Sequence, residues 1–155
     1  MEQATFGAGC FWSVEAAFRR IPGVSRTSVG YMGGHFERPC HWDVVARITG
    51  HAEVAQVEFE PQIVSYEQLL AVFWKIHDPT SLNRQGADRG EQYRSMIFCH
   101  TPEQMAIARR SKQALDASGD YDKPIVTEIQ SASDYWLAND EHQQYLEKKS
   151  RGIGG

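Results

Sequence analysis

The sequence predicts an α+β fold, a ferredoxin-like two-layer α/β sandwich with a mixed sheet and extended loops. Three observations lead there. Segments of alternating, β-rich character are interspersed with segments of helical period, in the order strand, helix, strand, strand, helix, strand, helix, strand. Two strand–helix–strand units joined in this way give a split β-α-β arrangement, with helices over one face of the sheet. The 155-residue length suits one domain with one core, so residues 1–155 are read as a single catalytic domain with a flexible glycine-rich tail at 150–155.

The elements follow in order. Residues 4–9 read as a short strand ending in glycines. Val14, Ala17, Phe18 and Ile21 then recur at helical spacing, and Pro22-Gly23 ends that helix. Residues 25–31 alternate as a strand. Gly33-Gly34 opens a long loop through His35, Cys40, His41 and Trp42 to Gly50. Residues 53–60 alternate again, and residues 66–77 carry Leu69, Leu70, Val72, Phe73 and Ile76 on a helix stopped by Asp78-Pro79. Residues 80–92 are polar and hold Gly86 and Gly90, the mark of a functional or mobile loop. Asn83, Arg84 and Gln85 are expected to build it through side-chain bonds to backbone. Residues 93–99 form a strand. Thr101 caps the next helix, with Pro102 at its first position and Gln104 completing a capping box. Residues 125–129 read as a strand, and Asn139 or Asp140 caps a last short helix through Glu147.

Composition narrows the function. A net charge of −4 without a basic stripe argues against nucleic acid as a partner. No apolar run reaches the ~20 residues of a membrane span, and no export signal opens the chain. Three cysteines make no disulfide framework, so the default compartment is a reducing cytoplasm. No apolar helix face stands out as exposed, which leaves a monomer as the default.

Cys10 is the candidate reaction centre. It lies at a strand-to-helix junction, where unpaired N–H groups and the positive end of the helix dipole are expected to favour the nucleophilic thiolate. The alternative is a small buried hydrophobe in a glycine-rich turn. Phe11 and Trp12 follow and can wall an apolar pocket or serve the core. Glu53 opens a strand. Facing the cysteine in an apolar pocket, its carboxyl would stay protonated near neutrality and donate to a substrate oxygen; facing solvent, it would do neither. Asp88 could orient a substrate and Tyr93 could donate its phenol proton, or both could simply build a turn and a strand start. Ser13 is placed to donate to the sulfur or to solvate the first helical turn. His35, Cys40, His41 and His51 do not have standard zinc spacing, so no metal is expected. Cys99 reads as core.

The runs Gly9-Cys10-Phe11-Trp12, Pro22-Gly23-Val24 and Val29-Gly30-Tyr31-Met32-Gly33-Gly34 come in sequence. Thr49-Gly50-His51-Ala52-Glu53-Val54, His77-Asp78-Pro79-Thr80 and Asn83-Arg84-Gln85-Gly86 follow. Gln92-Tyr93-Arg94-Ser95 and Glu141-His142-Gln143-Gln144-Tyr145-Leu146 close the series. In order and spacing the chain resembles the A-type peptide methionine sulfoxide reductases over nearly its whole length. The resemblance implies reduction of methionine S-sulfoxide, free or in oxidised proteins, without metal or organic cofactor. It implies Cys10 as nucleophile, Glu53 as acid, Asp88 and Tyr93 as substrate-binding groups, and Phe11 and Trp12 around the methyl group. A sulfenic acid on Cys10 would be returned to the thiol by a second thiol.

The chain departs from the family in three places. Ser13 stands where the family often has Gly. His41 stands at the Tyr of a Pro-Thr-Tyr run that helps bind the sulfoxide oxygen, with Trp42 as a second candidate donor. The tail lacks the resolving cysteines that many members carry. Regeneration then falls either to Cys40, through a Cys10–Cys40 disulfide, or to an external thiol such as thioredoxin or glutaredoxin with glutathione. Two other classes compete: a cysteine hydrolase or thiol peroxidase pairing Cys10 with a histidine, and a binding module without turnover.

Overall fold

The computed structural model describes residues 1–150. Its elements are β1 (Glu2–Ala8), α1 (Phe11–Arg19), β2 (Val24–Met32), α2 (His41–Val45), β3 (Ala52–Phe59), α3 (Tyr66–Lys75), β4 (Arg84–Gln85), β5 (Asp88–Arg89), β6 (Ser95–Cys99), α4 (Pro102–Ala117), β7 (Glu128–Ser131), β8 (Trp136–Leu137) and α5 (Tyr145–Ser150). Among these residues the strands form a six-stranded mixed sheet in the order β7-β6-β1-β3-β2-β8. β6 and β7 run parallel, and the other neighbours are antiparallel. The inner order β6-β1-β3-β2 is the split β-α-β core that the sequence predicts. No helix of the described residues is long and apolar enough to cross a membrane.

The period-2 alternation of the strands sorts their side chains onto two faces. Phe6, Val29, Ala55, Val57 and Ile97 join the helices in the main core. Phe6 stacks on Phe18 of α1 at 4.9 Å and lies 5.3 Å from Phe73 of α3. Met32, Val54, Met96 and Phe98 point the other way, into a smaller cluster that Ala132 and Tyr135 cover. Both faces of β3 are therefore buried along most of its length, which is why its alternation is blurred in the sequence.

Antiparallel pairing brings one end of each central strand together. The end of β1, the end of β2, the start of β3 and the start of β6 all lie at the same edge of the sheet. Ala8 pairs with Ser95, and Tyr31 with Glu53. Cys10, the 33–51 connection and the 80–94 connection converge there.

Several segments differ from the sequence reading. The 33–50 loop contains the single-turn helix α2, and the 80–92 loop folds back as the β4–β5 hairpin around Gly86. Residues 125–127 are not strand. Their backbone is tied sideways, Ile125 N–H to Asp116 and Val126 N–H to the Pro79 carbonyl, so β7 starts three residues later. The last helix is split into a 3-10 turn at Asp140–His142 and α5. Between them Gln144 takes a positive φ of 50°. Two side chains impose that break. The Gln143 amide pairs with the Val29 backbone as a strand would, at 2.9 and 2.8 Å, and the Gln144 N–H donates to Glu15 at 2.8 Å. The 3-10 turn at Glu91–Tyr93 likewise delays β6 to Ser95. The tail at 151–155 lies outside the described residues.

Candidate active site

Cys10 is the N-cap residue of α1, and Gly9 before it has a φ of 97°, a conformation open to glycine at little cost. No side chain of the helix itself caps this end. Glu53 does so from β3, its Oε1 accepting the Phe11 N–H at 3.2 Å. The carboxyl is thus held one residue from the thiol, and Glu53 is buried. Burial, opposed by the Phe11 hydrogen bond and assisted by the Asp88 charge, raises its pKa from 4.5 to about 7. A substantial fraction is protonated at neutral pH, as the sequence reading requires.

The cysteine departs from expectation. Its thiol is pushed up to about 11, chiefly by burial. The backbone N–H groups of Trp12 and Ser13 favour the thiolate, but the negative charges of Glu53 and Asp88 add to the burial penalty. Desolvation therefore outweighs the helix terminus, and the resting group is a thiol. Ser13 does not reach the sulfur; its hydroxyl donates to the Cys10 carbonyl at 3.0 Å.

Tyr31 belongs to this group and is missed by local sequence reading. It is the cross-strand partner of Glu53 on the helix-facing side of the sheet, and its ring lies 5.7 Å from Phe11. Burial and then the Glu53 charge raise its phenol well above the usual range, with Cys40 and Tyr93 contributing. The Tyr93 phenol is raised to about 12 by burial, Glu53, Asp88 and Cys10 in that order. Two protonated phenols and a carboxyl with a pKa near 7 thus share one electrostatic neighbourhood with the thiol. The signal available in the sequence was the alternation of 25–31 against 53–60, which brings Tyr31 to Glu53 once the register is known.

Asp88 lies on β5, exposed, with its carboxylate acting on Cys10, Glu53 and Tyr93. The hairpin that carries it is pinned by Gln85, whose amide accepts from Asp78 N–H at 3.0 Å and donates to its carbonyl at 2.9 Å. Arg84 adds a bond to the Gly86 carbonyl. Phe11 is buried in the core, while Trp12 is half-buried. Trp12 stacks on Tyr145 at 3.9 Å and donates its indole N–H to His142 Nδ1 at 3.1 Å. His142 is the second residue that sequence reasoning left without a role.

His41 lies across from His142, ring centroids 5.0 Å apart. Cys40, exposed, caps α2 and lines the same hollow as Trp12 and His41. Cys99 is buried. His51 is committed to the backbone. It accepts from Gly34 N–H at 2.9 Å through Nδ1, so its Nε2 carries the proton donated to the Phe36 carbonyl at 2.7 Å. Gly34 crosses so close to Thr49 and His51 that a side chain there would strike backbone. Among the described residues no group of three His, Cys, Asp or Glu side chains is arranged to hold a metal ion. None of their histidines hydrogen-bonds Cys10, and the base-activated pair of a cysteine hydrolase is missing.

The family described as peptide methionine sulfoxide reductase matches residues 2–154. A peptide methionine sulfoxide reductase MsrA 1 of a Nostoc species is 64% identical over 97% of this chain and 93% of its own length. An MsrA of Geobacter metallireducens is 58% identical over 98% of the chain and 94% of its own. Among solved structures, reduced Mxr1 of Saccharomyces cerevisiae superposes with a TM-score of 0.87 at 30% identity, covering 98% of this chain and 87% of that one. Methionine sulfoxide reductase A of Corynebacterium diphtheriae gives 0.85 at 37%, covering 96% and 75%.

Proposed function

Because the chain belongs to the A-type peptide methionine sulfoxide reductases and so reduces methionine S-sulfoxide, we propose that Cys10 and Glu53 carry the reaction, through a sulfenic acid on Cys10. The observation that carries this reading is the Glu53 carboxyl bonded to the Phe11 N–H beside the thiol, with a pKa near 7.

The sulfoxide oxygen is a poor leaving group until it is protonated. Glu53 gives it a proton while the ionised Cys10 sulfur attacks the substrate sulfur. An S–S bond forms as the S–O bond breaks, the oxygen leaving with the Glu53 proton as hydroxide; hydroxide then attacks the Cys10 sulfur, the S–S electron pair goes to the substrate sulfur, and methionine leaves a sulfenic acid on Cys10. Cys10 is oxidised by two electrons and the sulfoxide is reduced by two. Tyr31 and Tyr93 hold the oxygen through their phenol protons. Asp88 orients the substrate from the hairpin, and Phe11 and Trp12 flank the methyl group.

Two thiols then restore Cys10, releasing water and a disulfide. Thioredoxin, or glutaredoxin with glutathione, attacks directly, or Cys40 attacks first and passes the disulfide on. Yeast Mxr1 has been solved in complex with Trx2, which supports thioredoxin as a partner here. Cys40 remains the alternative because it is exposed and lies near enough to act on the Tyr31 phenol.

Turnover of separated sulfoxide epimers with dithiothreitol tests the reading. Reduction of the S epimer alone, lost in Cys10→Ser, is expected. Turnover that survives Cys10→Ser would remove the assigned nucleophile. With thioredoxin as sole reductant, Cys40→Ser retains activity on the direct route and loses it on the relay.

A further inference from the structure

Beyond Trp12 lies a hollow of about 330 Å³ that shares Trp12 and Cys40 with the site above. Trp12, Trp42, Tyr145, His41, His142 and Glu141 line it. We propose that this hollow is a flanking-residue subsite, which takes the cationic side chain of a lysine or arginine next to the oxidised methionine in a peptide. The proposal rests on the reductase reading of Cys10.

Position is the first argument. Trp12 stands two residues after the nucleophile and is also a wall of the hollow. A peptide with its sulfoxide at Cys10 has a neighbouring residue within reach of the far side of that indole. Size is the second. The hollow is far larger than a methyl group and accommodates a long side chain, whereas free methionine sulfoxide has none to place there.

Chemistry selects the occupant. Indole and phenol rings on the walls attract a cation through their π-faces. Trp42 is 75% exposed and lies edge-on to His41 with centroids 5.5 Å apart, so a large ring stands at the mouth. Glu141 brings the only carboxylate among the described lining residues to the rim. His142 receives the Trp12 N–H on Nδ1, so its Nε2 carries the proton and faces Glu141 at 3.8 Å. Burial and the neighbouring His41 lower the pKa of His142, which keeps that ring uncharged at neutral pH. His41 Nδ1 is buried without a hydrogen-bond partner. No lysine or arginine is among the described residues that line the hollow, and Lys148 nearby in sequence is held on the Asp140 carbonyl.

The test compares tripeptides with lysine, norleucine or glutamate directly before or directly after methionine S-sulfoxide. Each kcat/KM is divided by that of free methionine S-sulfoxide, with dithiothreitol as reductant. The lysine peptide should exceed norleucine by about threefold to tenfold in one of the two positions, with glutamate lowest. That advantage should shrink in high salt. Glu141→Gln and Trp42→Ala should each bring lysine and norleucine within about twofold. Equal ratios for lysine and norleucine in the wild type, or an advantage that survives both substitutions, would overturn the subsite. Free sulfoxide turnover keeps the two readings apart: no turnover of any substrate removes both, whereas turnover without a lysine preference removes the subsite alone.

Discussion

Between Cys10 and Glu53 the reaction needs one proton, on the carboxyl, and an ionised sulfur. With Glu53 near 7 and Cys10 near 11, the commonest one-proton form has the proton on sulfur. The reactive form is its minor isomer, and both share the same pH window. Below about pH 7 the pair holds two protons and must lose one. We therefore expect kcat/KM to rise with pH up to about 7 and then stay level toward about 11. Glu53→Gln should lower kcat/KM by about 10² to 10⁴ and abolish the break near 7. A variant retaining that break would show another group to be the acid. Tyr31→Phe keeps the ring against Phe11 and removes only the phenol, so a loss of roughly tenfold to a hundredfold with unchanged thermal stability is expected. Cys10 and Glu53 were legible because each stands in a short, chemically pointed run. The ionisation of the thiol was not, since a helix terminus is visible in a sequence and the burial that overrides it is not. Tyr31 stayed hidden inside an alternating strand, where a phenol reads as core until pairing places it opposite Glu53.

At the scale of elements, one buried carboxylate joins the Gln143 and His142 contacts in fastening the C-terminal segment to the front of the chain. Glu15 on α1 accepts from the Thr27 hydroxyl at 2.7 Å, and from the Gln144 N–H and amide at 2.8 Å each. Glu15→Ala leaves these donors unpaired and should destabilise the fold by about 3 kcal/mol. Because His142 and Tyr145 brace Trp12, activity should fall as well, and hydrogen exchange at 139–148 should quicken. Unchanged exchange there would mean that the segment is held by other contacts. The cap of α4 could be read directly, Thr101 accepting from Gln104 N–H, whereas the Ser65–Gln68 capping box of α3 went unread. Even so, the Gln104 side chain reaches back to His100 N–H rather than to the cap residue. The two-residue strands β4, β5 and β8 and the single turn α2 were not legible, being too short to show a period. The split in the last helix depends on Gln143 and Gln144 finding partners more than 110 residues away.

Across the whole molecule, two buried groups oppose each other with pH. Glu53 has a raised pKa in the folded chain, so between about 4.5 and 7 the unfolded chain gives up its proton first, and rising pH favours unfolding. His77, bonded to the Phe73 carbonyl and Ser95 hydroxyl, is lowered from 6.5 to about 4, mainly by burial. Below 6.5 the unfolded chain takes up a proton that the folded chain refuses, so falling pH costs stability. Each effect is worth about 3 kcal/mol, and they offset one another between pH 4.5 and 6.5. Glu53→Gln should therefore match the wild type near pH 4.5 and exceed it by about 3 kcal/mol at pH 8 in urea unfolding. Parallel curves across that range would contradict the burial argument. The strand order and the meeting of four strand ends were within reach of the sequence because local periods and the split β-α-β connection constrain them strongly. The covering of the second sheet face by 132–135 was not, since that segment has no period of its own. The bracing of Trp12 by His142 and Tyr145 also bears on biosynthesis. Cys10 is synthesised well before Tyr145, and the ring beside it has no backing until translation has passed position 145, so a nascent chain carries the thiol without its finished pocket.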